Sequence, residues 1–312
     1  MKIFSNTSIS RNYKGSAIAI GNFDGVHKGH QKVFLAAKRL SKKKGIKFGI
    51  LTFNPLPVMF FNKKVKNYKL TSQAQKINLL KQCEVDFAVN IKFNKKFSKL
   101  SAKNFINNII YKKINPRFIF VSNNFKFGNK RKGNVNLLQK FSRIYNYKLK
   151  KINPFKHGKK IISSTRIRNF LQNGYLYEAN RLLTRTWSVE GKVEEGKKIG
   201  RKLGYRTCNI KIKDYVIPKV GIYAVKVLIG NKKKIYKGVS YLGSRPTYGG
   251  KEIFLETNIF GINKNLYQKR LKVYFIKLIR GDKKFKNEYE LIKQMNKDVI
   301  FAKKRLKAKL VL

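Results

Sequence analysis

Short unbroken apolar runs alternate with stretches of helical spacing through the first 185 residues. Ser16-Ala17-Ile18-Ala19-Ile20 reads as a buried strand, and from Gln31 to Leu40 the apolar residues recur along one helix face. Lys47 to Phe53 predicts a second strand, and Thr52-Phe53-Asn54-Pro55-Leu56-Pro57 forms a rigid loop at its end. Thr71-Ser72 then caps a helix running through Leu80, and Val85 to Asn90 is the next strand. Ser101 opens a helix to Tyr111, Arg117 to Val121 is strand-like, Asn134 to Tyr145 is helical, and Tyr147 to Ile152 is one more strand. This alternation predicts a parallel α/β sheet whose ligand sites lie at the strand C-termini. Leu171 to Leu183 reads as short helices, with Thr184-Arg185-Thr186 as a connection.

From Trp187 onward the rhythm changes. β-branched and aromatic residues alternate, glycine turns intervene, and helical spacing returns only in the terminal run from Tyr289 to Leu306. That pattern predicts an antiparallel barrel closed by a helix. The expected domains are therefore residues 1–185 and 186–312.

Composition narrows the class. A chain of 312 residues with 42% apolar content can bury two substantial cores. Its longest apolar runs fall far short of the roughly 20 residues that span a bilayer, and its start has no signal-peptide pattern, so a cytoplasmic protein without a membrane partner is expected. Cys83 and Cys208 are too few and too far apart for a disulfide framework or a zinc site, which fits a reducing compartment. The excess of 73 Lys+Arg over 14 Asp+Glu gives a formal charge of +59. These lysines are spread through every segment, so a composition bias accounts for them more simply than a selected nucleic-acid surface. Non-specific, salt-sensitive binding to RNA or DNA is still expected. Nothing in the sequence sets the oligomeric state.

The candidate chemistry begins at Gly21-Asn22-Phe23-Asp24-Gly25-Val26-His27-Lys28-Gly29-His30, a glycine turn between a strand and a helix start. Gly21, Gly25 and Gly29 let backbone approach a ligand, and the first helical turn offers N–H groups at a positive dipole end. A nucleoside triphosphate fits such a cradle. His27 and His30 are three residues apart, so both imidazoles can face one phosphate and stabilise charge developing on it. The chain has three histidines in all, and two are here.

This run resembles the first signature of the HxGH nucleotidyltransferases, and its Gly-x-Phe-Asp-Gly lead-in resembles the adenylylating half of bacterial bifunctional riboflavin kinase/FMN adenylyltransferases. The resemblance implies a Rossmann-like nucleotidyltransferase domain with a parallel sheet, followed by an antiparallel β-barrel riboflavin kinase domain with a terminal helix. Thr52 to Pro57 is similar to a family loop that usually carries Asp and His where Asn54 and Leu56 stand. Ser122-Asn123-Asn124-Phe125-Lys126-Phe127-Gly128 resembles Gly-x-(Asp/Asn)-Phe-x-Phe-Gly, with Asn124 matching and core packing the expected role of Phe125 and Phe127. Ile162-Ser163-Ser164-Thr165-Arg166-Ile167-Arg168 resembles the second signature, which implies that Ser163, Ser164 and Thr165 hold the outer phosphates at a helix start and that Arg166 or Arg168 neutralises pyrophosphate. A plain Ser/Thr helix cap is the alternative.

The second half resembles the riboflavin kinase domain. Gly191, Gly196, Gly200, Arg201 and Gly204 suit a loop over ATP phosphates. Thr207 and Asn209, alternate residues of a strand, offer neutral oxygens to a nucleotide-bound Mg2+. Arg206 stands where the family has proline, Cys208 where it has alanine, Tyr241 where asparagine is common, and Asn258 where histidine is usual. Leu255-Glu256-Thr257 resembles the segment with the catalytic carboxylate, so Glu256 is the candidate to orient or deprotonate a ribityl hydroxyl, with a surface glutamate the alternative. Arg280 meets substrate phosphate or isoalloxazine, or is merely solvated, and Asp298 reads as structural.

The implied activity is ATP-dependent phosphorylation of riboflavin to FMN and adenylylation of FMN to FAD, with Mg2+ accompanying each ATP. The alternatives are an enzyme keeping one of the two activities, since Arg206, Asn258 and Leu56 depart from pattern, or a basic nucleic-acid-binding protein on a nucleotidyltransferase scaffold.

Overall fold

The computed structural model describes residues 1–196, 204–230, 232, 234–247 and 250–307. They form two compact units, the first of residues 1–66 and 73–163, the second of residues 67–72 and 164–312.

The first unit is built on a six-stranded sheet. Its strands are β1 (Lys2–Phe4), β2 (Ala17–Ile20), β3 (Phe48–Asn54), β4 (Phe87–Lys92), β5 (Phe118–Ser122) and β6 (Lys148–Ile152), in the order β1-β4-β3-β2-β5-β6 (each named here in chain order). Every neighbouring pair is parallel, as the alternating pattern predicts. The inner strands β2 to β5 are apolar on both faces because each face is covered. Ile18, Leu51, Val89 and Ile119 pack on one side against the wide π-type helical stretch Phe105–Ile114. Ala17, Ile50 and Phe120 pack on the other side against Val33, Phe34 and Ala37 of helix α1 (Lys28–Lys43). Helix α2 (Gln73–Gln82) and helix α3 (Val135–Ile144) complete the layers, with the Asn134 side chain accepting from Leu137 N–H at 2.9 Å to cap α3.

Chain order runs from β2 through β3 to β4 on one side and then returns to β5 on the other. Such a reversal opens a crevice beyond the strand C-termini. The Gly21 turn leaves β2 there, and Ser122 to Gly128 leaves β5 beside it. Strand β1 has no counterpart in the sequence reading, because three residues at a sheet edge carry too little pattern.

The second unit begins with helices α4 (Ser164–Gln172) and α5 (Leu176–Leu183) and continues as a closed barrel. The barrel strands are β7 (Ser188–Glu194), β8 (Cys208–Lys211), β9 (Gly221–Ile229), β10 (Ile235–Thr247), β11 (Gly250–Ile259) and β12 (Arg270–Gly281). They close in the order β7-β8-β11-β10-β9-β12, every pair antiparallel. Inward residues such as Val189, Ile210, Tyr223, Leu242, Leu255 and Phe275 are fully buried. The terminal helix α6 (Glu288–Arg305) covers Ala224 with Ala302 and Leu306. Segment 67–72 belongs to this unit: Trp187 Nε1 donates to Leu70 O at 2.9 Å, and Lys69 Nζ pairs with Asp214 at 2.9 Å. Among the described residues no helix is long and apolar enough to cross a membrane.

Candidate active sites

The first-unit site rests on the turn after β2. Phe23 (φ +48°) and Val26 (φ +42°) both hold left-handed backbone, a conformation that side chains other than glycine adopt at a cost and that clusters at functional turns. Both side chains are buried, which is what holds them there. His27 caps α1, its Nδ1 accepting the His30 N–H at 3.4 Å. With Nδ1 an acceptor, the neutral His27 imidazole carries its proton on Nε2. The His27 and His30 rings stack at 3.6 Å and 18°, and Phe23 meets His30 edge-on at 5.3 Å. A Cβ at position 29 would come within 3.1 Å of the His27 ring, so Gly29 makes room for the pair. The two imidazoles thus stack at a helix N-terminus, an arrangement suited to charge on a phosphate. His27 and Asp24 are buried and His30 is half-buried.

The barrel site comes from strand register. Asn209 of β8 lies opposite Glu256 of β11, Glu256 opposite Tyr241 of β10, Tyr241 opposite Ile222 of β9, and Ile222 opposite Arg280 of β12. Directly paired residues share a sheet face, so this row runs along the outer face, away from the buried Ile210 and Leu255. A cavity of about 300 Å3 opens at its β8 end, lined by Gly196, Arg206, Thr207, Asn209, Lys264 and Tyr267 among others. Gly196 presses on Asn209 so closely that a Cβ there would come within 2.2 Å of the amide nitrogen. Cys208 lies at the same wall, where burial pushes its thiol up to about 11.

The family model described as FAD synthetase matches residues 9–166, and that described as riboflavin kinase matches residues 183–306. A bifunctional riboflavin kinase/FMN adenylyltransferase of Buchnera aphidicola subsp. Schizaphis graminum is 40% identical over 93% of this chain and 93% of its own. The chain belongs to the bifunctional riboflavin kinase/FMN adenylyltransferase family. Proteins of that name are 32% identical in Escherichia coli strain K12, over 93% of this chain and 92% of its own, and 34% identical in Bacillus subtilis strain 168, over 91% and 90%. A solved structure from Streptococcus pneumoniae, described as a macrolide-efflux protein, covers 96% of this chain and 98% of its own with TM-score 0.83 at 27% identity. That description conflicts with the family models. The family models match both halves by sequence, and the solved structure is a likeness of fold.

Within this riboflavin kinase/FMN adenylyltransferase architecture the sequence-derived residues fall into groups. Gly21, Asn22, Phe23, Asp24, Gly25, His27, Gly29 and His30 share the turn at the crevice. Asn124 is exposed at the end of β5, its Oδ1 accepting the Ser122 hydroxyl at 2.8 Å, so the serine standing for glycine is used to shape the turn. Phe127 is buried in the core and stacks on Phe125 at 5.4 Å, as the packing role predicts. Leu56 is buried too, so the loop holds by apolar packing where the family has a polar residue. Ser163 precedes α4, Ser164 and Thr165 form its first turn, and Arg166 lies half-buried over the Phe170 ring at 5.4 Å.

Several residues have duties that sequence did not reveal. Arg168 is buried, its Nε donating to Tyr68 O at 2.7 Å and its guanidinium lying 3.6 Å from the Tyr68 ring, so it ties segment 67–72 down. Arg280 is not merely solvated: Nε donates to both Asp298 oxygens at 3.1 Å and Nη2 to Oδ2 at 2.8 Å, anchoring α6. Gly191 makes room for Ile210, whose Cγ2 would lie 2.3 Å from a Cβ there, which is a packing duty inside the barrel. Thr207 sits just before β8, which starts at Cys208, so Thr207 and Asn209 bracket the strand entry instead of both lying within it. Gly204 is exposed with φ +83°, and Gly200 and Arg201 lie outside the described residues.

The departures from pattern support one another. The Asn258 amide donates to Arg206 O at 2.8 Å, and Arg206 Nη1 donates to Asn263 O at 2.8 Å. These bonds hold the backbone ahead of Thr207, a restraint that proline would have supplied through its ring. Lys264, on the cavity wall, was not singled out from sequence, since one lysine among so many carries no signal.

Proposed function

We propose that this chain converts riboflavin to FMN in its barrel half and FMN to FAD in its N-terminal half, using ATP in both steps. The functional boundary is placed near residue 185, a position supported by family matches that end at 166 and resume at 183. The single observation that carries the reading is the stacked His27–His30 pair, set on the glycine turn where the parallel sheet reverses order.

In the adenylylating step an FMN phosphate oxygen bonds to the α-phosphorus of ATP while the bond to pyrophosphate breaks. His27 and His30 stabilise the charge on the phosphoryl oxygens, and the backbone from Gly21 to Gly25 receives the phosphates. Ser163, Ser164, Thr165 and Arg166 are the proposed hold on the departing pyrophosphate, and Asn124 a contact to the nucleotide. Positioning and charge stabilisation suffice, because phosphoryl chemistry asks little covalent help of protein.

In the kinase step the ribityl 5′-oxygen bonds to the γ-phosphorus of ATP and ADP leaves. Glu256 orients that hydroxyl and takes its proton. Gly196, with Gly200, Arg201 and Gly204, is the proposed phosphate loop. Thr207 and Asn209 fit an Mg2+ site: their oxygens are neutral and hard, a carboxylate stands opposite in register, and a cation whose remaining ligands are phosphates and water needs no more. Among the described residues no group of three or more His, Cys, Asp or Glu could hold a metal ion. When bound, Mg2+ would neutralise the phosphate oxygens. A cytoplasmic location is part of the proposal, supported by a cysteine count of two, too small for a disulfide framework.

His30→Ala should cut FAD formation from supplied FMN by roughly 10²-fold or more while FMN formation from riboflavin continues. Glu256→Ala should do the reverse. Separation of the flavins after incubation with ATP and Mg2+ reads both, and loss of both activities or neither in either variant would refute the division of labour.

A further inference from the structure

A lysine almost never buries its ammonium without a task, because taking the charge out of water is costly. Lys76, on α2, is 5% exposed. Its Nζ donates to the Asn22 carbonyl at 3.3 Å and lies 3.2 Å from Thr52 Oγ1. The Thr52 hydroxyl in turn donates to the same carbonyl at 3.0 Å. Thr52 is at the end of β3 and is itself buried. Two elements thus converge from beneath on a single backbone oxygen of the glycine turn.

The position of that oxygen matters. The peptide joining Asn22 to Phe23 is planar and trans, so holding its carbonyl toward Lys76 turns the Phe23 N–H the opposite way. The next residue is the left-handed Phe23, whose strained backbone needs such a restraint. A backbone N–H turned away from Lys76 beside a glycine turn is one from which a phosphate oxygen can accept. The ammonium also adds a fixed positive charge behind the turn, screened little because it is buried.

We propose that Lys76 is a positioning residue for the adenylylating reaction: it locks the Asn22–Phe23 peptide with its N–H toward the nucleotide phosphates and, with Thr52, keeps the turn in its binding shape. The proposal rests on the reading that ATP seats at this turn. Lys76→Met keeps the length of the side chain and removes both the bonds and the charge; Lys76→Arg keeps the charge; Thr52→Val removes the hydroxyl alone.

The test uses the full chain and two readouts. Hydrogen exchange of the peptide covering residues 21–30, with and without ATP, reports whether phosphate seats on the turn. FAD formation from supplied FMN reports the consequence, with FMN formation from riboflavin in the same preparation as the control for folding. ATP should slow exchange in the parent chain, and Lys76→Met should abolish that slowing and lower kcat/KM for ATP at least ~10-fold, the scale of a lost hydrogen bond to a charged group. Lys76→Arg should recover part of both. Thr52→Val should have little further effect in the Lys76→Met background, since both act on one carbonyl. Equal slowing by ATP in Lys76→Met and the parent would overturn the role of Lys76 alone, as would a fall in both activities together. Slowing in the parent without FAD formation would sink the adenylylation reading and leave the Lys76 role standing. If Lys76→Met fails to fold, Lys76→Arg and Thr52→Val carry the comparison, and unchanged slowing in both overturns the proposal.

Discussion

At the level of single residues, burial decides chemistry more than residue type does. Cys208 illustrates this: its thiol, ordinarily near 9.0, is pushed up to about 11 by burial on the cavity wall. Reaction with iodoacetamide needs the thiolate, so at pH 8 Cys208 should alkylate roughly 100-fold more slowly in the folded than in the unfolded chain. Peptide mapping across pH should place the rise in its labelling near 11, and a midpoint at or below 9 would remove the argument. The sign for stability follows. Because the folded state holds this proton more tightly, the contribution is full below pH 9 and is lost as pH rises through about 11. His27 and His30 are the converse case, legible from sequence because three-residue spacing at a helix start already puts two rings together. Lys76 was not legible at all. Sequence does not say which of 73 cationic side chains fold inward, as Lys76 and Arg168 do.

At the level of elements, the terminal helix shows how a charge pair can locate a whole segment. Asp298 is buried on α6 and receives Arg280 through three contacts, while Gln294 Nε2 donates to it at 3.0 Å. The helix itself is well formed from local signals: Asn287 accepts from Glu290 N–H at 2.9 Å, acids occupy its first turn and bases its last. Its docking is another matter. Removing one partner of a nearly buried pair leaves the other charge stranded, so Asp298→Ala should destabilise the barrel unit by about 2–4 kcal/mol, toward the low end because Arg280 keeps some solvent contact. Trp187, the chain's single tryptophan and buried in that unit, reports the urea midpoint. A loss under ~0.5 kcal/mol, within the range of an ordinary surface substitution, would mean that the pair does not hold the helix. The strands β2 to β6 and helices α1 to α3 were readable to within a residue or three, most of them from an apolar repeat and α2 from its Thr71-Ser72 start. The stretch from Ser101 reads as an ordinary helix, yet after Ala102–Asn104 it widens into a π-type stretch over Phe105–Ile114 that keeps Ile106 and Ile110 on the sheet. Over so short a stretch the apolar Phe105, Ile106, Ile109 and Ile110 suit an α-helix as well as a π-type one, so sequence could not separate them.

At the level of the whole molecule, the formal charge of +59 is the dominant long-range property. Charge of this density draws any polyanion, and the binding it gives rests on counterion release. Retention of RNA at low ionic strength should therefore be independent of sequence and should fall by roughly 10³–10⁵ between about 50 and 200 mM salt for a contact of about 6–10 phosphates. A filter-binding series across that range checks it. Selective binding that persists at high salt, without turnover of riboflavin or FMN, would favour the nucleic-acid alternative instead.

Alone, the sequence determined the parallel α/β sheet, the barrel, the turn that carries the histidines and the family resemblance, because all of these follow from periodicity and from motifs contiguous in the chain. Tertiary structure alone decided that residues 67–72 fold with the second unit, that Arg168 bonds to Tyr68 and Arg280 to Asp298, and that Asn209, Glu256 and Tyr241 stand in one row. Those pairings join residues tens to a hundred positions apart, and barrel register and side-chain burial are properties of the closed fold that no local pattern encodes.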